Sequence, residues 1–283
     1  MRRKGQQDTG LMAGIVLPFL FGGGHQGRLG RMVCYLNRGF ILEQAIVAAI
    51  NDYFETINTE SLYENFHVKA TLDHPFAKIF KNPKGLNAAD LFPAVVVSTY
   101  EDEKPHDLPM PPQVEGIGLD KEDIGTITNT SETVTVNGRQ KERKIPGLCT
   151  VVAPEVLKAI NQHIDKKKMI FGFLVRTYRR DKISLEIWSE NTQLKNEIYE
   201  QLRLFVIGNL RHVLAEDKYQ SYDIKIDDDT VSGQRSGAWN DQFDVILAGG
   251  SITFDVNYAI DQIVLDTNIE NPHGDLSVEG GNG

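Results

Sequence analysis

From Phe40 to Ile57 the apolar residues Ile41, Ala45, Ile46, Ala49, Ile50 and Phe54 recur at spacings of three, four and one. Glu43, Gln44, Asn51, Asp52 and Glu55 fill the positions between them, which predicts an amphipathic helix with its polar side in water. Asn37 precedes this stretch as a candidate cap. A different period governs residues 169–266. Phe171, Phe173 and Val175 alternate in a first strand from Met169 to Tyr178, and Ile183, Leu185 and Ile187 alternate in a second that ends at Trp188. The charged run Arg179-Arg180-Asp181-Lys182 between them predicts a hairpin turn. Ser189 is a candidate cap for a long helix over Thr192 to Leu214, with Leu194, Ile198, Leu202, Phe205, Val206, Leu210 and Val213 along its apolar stripe.

Further strands are predicted at Phe92–Ser98, Tyr222–Asp227, Trp239–Leu247, Ile252–Tyr258 and Ile260–Leu265, with Gly249-Gly250 as a turn and 227–238 as a loop. Pro154 to Ile164 predicts a shorter helix, its proline suited to the first turn and Lys166, Lys167 and Lys168 suited to the C-terminal end. Residues 113–150 read as short strands and turns, with a hairpin tip at Asn137-Gly138 and the basic positions Arg139, Lys141, Arg143 and Lys144 after it. The order of strands and helices predicts an α+β fold, an antiparallel or mixed β-sheet flanked by helices. It is organised as an N-terminal arm over 1–30, a domain over 31–270 with an inserted subregion at 100–165, and a disordered tail at 271–283.

Composition adds limits. The chain has 283 residues, 41% hydrophobic and 24% charged, which suits a globular protein with an ample core. The net charge is −9, and a surface that acidic disfavours nucleic acid as the ligand of the whole chain. Cys34 and Cys149 stand far apart without metal-site spacing and read as reduced thiols. Arg2, Arg3 and Lys4 followed by the apolar stretch Leu11–Phe21 resemble a secretory signal, but Gln6, Gln7, Asp8 and Pro18 interrupt the pattern. The preferred reading is a flexible arm whose Leu11, Ile15, Phe19 and Phe21 dock on a partner subunit or on the body of the protein, with Gly22-Gly23-Gly24 as hinge.

Chemistry is sparse. The glycine-rich run 22–30 lacks the Gly-Lys-Ser/Thr of a phosphate-binding loop. Asp223 with Asp227, Asp228 and Asp229 offers oxygen ligands for a divalent cation, and a metal-dependent enzyme built on them is one alternative; a secreted binding protein is another. The seven histidines form no HExxH or HxH, and no nucleophile elbow occurs. Arg176, Arg179, Arg180 and Lys182 form a basic patch on an acidic protein, suited either to solvent or to docking on an acidic neighbour. No catalytic residue, cofactor or metal is predicted.

The run Ile183-Ser-Leu-Glu-Ile-Trp-Ser-Glu-Asn, leading into the helix that ends near Leu214, resembles the strand-then-helix core of tail terminator proteins of tailed bacteriophages. Phe92-Pro-Ala-Val-Val-Val-Ser resembles their first sheet strand, and the helix at 40–57 stands where those proteins carry an N-terminal helix. The resemblance implies a structural virion protein, a tail terminator or head–tail connector. Its homohexameric ring would cap the tail tube, join it to the head-side connector and let DNA pass without sequence recognition. Arms and long loops at 1–30, 99–118 and 227–238 would supply the heterologous contacts a ring needs.

Overall fold

The computed structural model describes residues 33–57, 67–75, 91–100, 112–240 and 246–266. The expectations for the arm at 1–30 and the tail at 271–283 lie outside them, as do residues 101–111 of the expected 99–118 loop; of its remaining residues all but Pro112 are in strands. The fold is mixed α+β, with an eight-stranded sheet, a separate two-stranded hairpin and four helices among the described residues.

Two very long strands organise the sheet. β8 (Ile170–Ser189) and β10 (Ile246–Asp266) pair antiparallel from Gly172↔Leu265 to Ser189↔Ala248 without a break in register. Two shorter strands share the outer edge of each. β3 (Ala94–Tyr100) and β4 (Gln113–Leu119) lie along β8. β1 (Val33–Phe40) and β9 (Lys225–Asn240) lie along β10. β2 (Lys69–Thr71) adds to β3 as the parallel pair, and β7 (Leu148–Val151) closes the other end on β1.

Because side chains alternate across a strand, the unbroken register fixes two faces for the whole ribbon. On the front, Ile183, Leu185, Ile187, Ile252, Phe254 and Val256 are fully buried beneath α1 (Leu42–Ile57) and α4 (Thr192–Phe205). On the back and at the opposite end, Ile170, Ile263 and Leu265 pack with Leu36 and Leu119 against α2 (Lys121–Thr128) and α3 (Pro154–Lys167). One ribbon therefore carries two hydrophobic cores, on opposite faces and at opposite ends.

Several local expectations change accordingly. Arg179 to Lys182 form no turn: they are the middle of β8, where Asp255, Val256, Asn257 and Tyr258 face them across the ladder. Gly249 and Gly250 likewise continue β10, and Trp188 lies so close over Gly249 that a Cβ there would come within 2.9 Å of the indole. The 227–238 loop is strand β9. Tyr222 ends a 3₁₀ turn (Asp217–Tyr222) rather than starting a strand. Asn37 sits inside β1 and not at a helix start. Asn191, not Ser189, caps α4, accepting from the Gln193 and Leu194 amides, while the Ser189 hydroxyl accepts from the Asn191 amide. The long helix continues past Phe205 through a π-helical turn (Val206–Leu210) into a last α turn (Arg211–Leu214).

The 113–150 region contains α2, begun by a reciprocal capping box between Asp120 and Asp123. The hairpin of β5 (Ser131–Val136) and β6 (Arg139–Lys144) does turn at Asn137-Gly138, both with positive φ (52° and 73°), as a type I′ turn requires. Asn51, read as solvent-facing, instead bonds both the N–H and the C=O of Ala70, at 2.8 and 3.2 Å, and so pins β2 to α1.

Candidate functional site

The middle of the ribbon, where burial passes from one face to the other, is polar. On the back face Arg176 and Asp261 are direct cross-strand partners and form a two-pronged pair, Nε to Oδ1 at 2.7 Å and Nη2 to Oδ2 at 2.8 Å. One step along, Arg180 donates from Nε and Nη2 to Asp255 at 2.9 and 2.6 Å and reaches Asp227 of β9 at 3.3 Å. On the front, Arg179 lies 3.5 Å from Asp181, and the buried Tyr258 donates its hydroxyl to Asp181 at 2.5 Å. The hydrogen bond to Asp261 raises the already high Arg176 pKa further, so that charge is permanent.

Three of the four residues read as a basic docking patch thus face carboxylates of their own chain. The sequence places like charges together along β8; the fold lays aspartates beside Arg176 and Arg180 from β10 and β9, while Arg179 meets Asp181 of β8 itself. Lys182 stands in register with Asp255. The patch is a neutralised seam rather than a store of free positive charge.

The acidic run is divided in the same way. Asp227 meets Arg180, Asp228 meets Arg211 at 3.3 Å, and Asp223 meets Lys225 at 3.2 Å. Among the described residues no group of three His, Cys, Asp or Glu side chains is gathered closely enough to hold a metal ion. Asp227, Asp228 and Asp229 lie on β9, whose outer edge has no strand partner among the described residues, and its ladder with β10 is interrupted by two bulges. Charge and bulges are what keep an exposed strand edge from pairing with another chain.

At the far end of the back face, the Trp188 indole N–H donates to Glu186 at 3.3 Å, and the His74 and Trp188 rings meet in a T-shaped contact with centroids 5.8 Å apart. His74 lies 3.9 Å from Glu186; burial lowers its pKa against the pull of that carboxylate. With Phe92, Ala94 and Leu247 this makes a small satellite cluster. Trp239 pairs with Leu247 in the ladder, Cys149 is a free thiol in β7, and His212 is exposed in the last α turn. Leu11, Ile15, Phe19 and Phe21, and the Arg2–Phe21 segment on which a secreted protein would rest, lie outside the described residues. No helix among those described is long and apolar enough to cross a membrane.

One surface was not foreseen. On the front of the ribbon at the small-core end, several apolar side chains are open, with exposed Gln262 beside them. Tyr35 is 44% exposed, Val114 64%, Met169 40% and Phe173 38%. Register places Val114 beside Val175 and Tyr35 beside Val264 on this face, and Gly118 beside Phe171. A Cβ on Gly118 would come within 2.9 Å of the Phe171 ring and 3.0 Å of the Met169 methyl, so these two side chains lie flat over bare backbone. The signal was present in the run Ile170 to Val175, apolar at both parities: one parity is needed by the back core, and the other has no helix to meet. No protein-family model and no curated protein matches the sequence.

Proposed function

We propose that this chain is a structural virion protein of a tailed phage, a tail terminator or head–tail connector. Its copies close into a ring, with a hexamer expected, between the tail tube and the head-side connector. The observation that carries the reading is the open apolar sheet face around Tyr35, Val114, Met169 and Phe173. A contiguous exposed apolar surface on a monomer marks a place where another protein sits. Further support comes from the unit that runs from the Ile183–Ser189 end of β8 straight into α4, the strand-then-helix arrangement on which the resemblance to tail terminators rests. The −9 charge suits a ring whose lumen passes DNA without holding it. In this reading the protein acts by binding neighbours and turns over no substrate, and the seam of Arg176, Arg179 and Arg180 stiffens the ribbon instead of docking a partner.

Negative-stain imaging with light scattering, on the full chain and on a variant lacking residues 1–30, tests the proposal. Rings of the full chain that weaken without residues 1–30 are expected. A strict monomer at every concentration, with and without a tail-tube protein, would overturn it.

A further inference from the structure

We infer that the open apolar front face at the small-core end is the receptor for the Leu11–Phe21 segment of a second copy of this chain, so that neighbouring copies are linked by exchanged N-terminal arms. The inference rests on the ring reading above and names the contact that would close the ring.

Three observations point to this occupant. An apolar row crosses four strands, from Val114 on β4 through Phe173 on β8 and Val264 on β10 to Tyr35 on β1, with Gln262 and Asp266 at its margins. A surface of that kind gains from burying apolar side chains. The chain holds a matching segment: Leu11 to Phe21 is eleven residues without a charge, carrying Leu11, Ile15, Phe19 and Phe21. The third observation is where the described chain begins. Val33 opens β1, two residues before Tyr35, so the described chain begins on a strand of this face.

The connecting stretch 22–32 can span up to about 36 Å when extended, more than twice the roughly 14 Å width of four strands. Gly22, Gly23 and Gly24 place no side chain in its path. A head-to-tail contact of this sort is heterologous, one patch of each copy meeting a different patch of the next, which is the contact type that generates rings.

Disulfide trapping between full-length chains tests the exchange. In a background with Cys34→Ser and Cys149→Ser, one population carries Phe19→Cys and the other Phe173→Cys; they are mixed and oxidised. A disulfide-linked product of twice the chain mass is expected, at least about tenfold more abundant than with Leu72→Cys, an exposed position at the large-core end, in place of Phe173→Cys. Val114→Asp, at a position 64% exposed and so compatible with folding, should lower the yield about tenfold with unchanged thermal stability.

A yield no higher than the Leu72→Cys control overturns the inference. So does a cross-link that forms only within single chains carrying both cysteines at high dilution, since the arm then serves its own body. Light scattering on the same samples reads the ring separately. Rings without the cross-link would leave the proposed function standing and remove this contact. The cross-link without rings would keep the exchanged arm and remove the ring.

Discussion

The two ends of the β8–β10 ribbon solve the same burial problem with different thoroughness. At the large-core end α1 and α4 cover the front face completely, and Ile183, Leu185, Ile187 and Phe254 are shut off from water. At the small-core end α2 and α3 cover only the back, leaving apolar side chains of the same strands open on the front. The strands are continuous, so the difference does not arise from strand propensity. It arises from which face each pair of helices occupies. A strand apolar at both parities needs cover on both sides, and at the small-core end it has cover on one. Under the proposed function, the large end is the scaffold and the small end the surface that meets a partner.

The largest expected effect tests whether the two ends are one folding unit. Leu185→Ala in the large core and Ile160→Ala in the small one should each cost about 3 kcal/mol, because each removes a fully buried side chain. Since β8 and β10 run through both cores, each variant should lower a single calorimetric transition. Two separated transitions in Ile160→Ala would break the picture of a shared ribbon.

The second test uses chemistry found in the large core. Burial pushes the Tyr219 hydroxyl up to about 12 from its ordinary 10.0, and Tyr222 and Tyr258 are raised further, also chiefly by burial. Each hydroxyl is satisfied as a donor, Tyr219 to the Pro146 carbonyl, Tyr222 to that of Arg38 and Tyr258 to Asp181. A pKa raised by folding contributes stability that is fully present below the unfolded value near 10 and is lost as pH rises through the folded value. Stability should therefore fall between pH 10 and 12, and tyrosinate absorbance should appear together with loss of the circular dichroism signal. Ionisation of these three groups in a protein still folded would contradict the burial argument.

The smallest effect concerns the seam between the ends. Asp261→Asn should cost about 1 kcal/mol in urea unfolding, as the pair is strong in geometry but partly open to water. A double-mutant cycle with Arg176→Met should return a coupling of similar size. A coupling near zero would mean that the seam adds nothing to holding the two ends together.

The sequence showed the α+β class, the positions of α1, α3 and α4 and the Asn137-Gly138 turn, because each depends on contacts within a few residues. The periodicity of Ile41 to Phe54 and the φ > 0 demand of an Asn-Gly turn are local facts. It misled where a charged run or a glycine pair looked like a break. Arg179 to Lys182 and Gly249-Gly250 are turn-like in isolation, yet both are held in strand by what faces them: Asp255 and Tyr258 across from the first, the Trp188 ring over the second. It passed over α2, although the Asp120–Asp123 spacing was available as a capping signal. The candidate surface was half legible. Alternating Phe171, Phe173 and Val175 marked one apolar face, but nothing local told which face a helix would take.

By itself, then, the sequence determined where apolar side chains alternate, where helices have a stripe and where the chain can reverse, since these follow from periods of two and 3.6 and from backbone preference. Only the tertiary structure decided that two predicted hairpins are one uninterrupted ribbon, that Arg176 and Arg180 are neutralised by aspartates from about 50 to 85 positions away in the chain, and that two helices cover the front while two cover the back. The reason is that register and facing are fixed by long-range pairing, in which a residue's partner lies across the sheet, out of reach of any window along the chain.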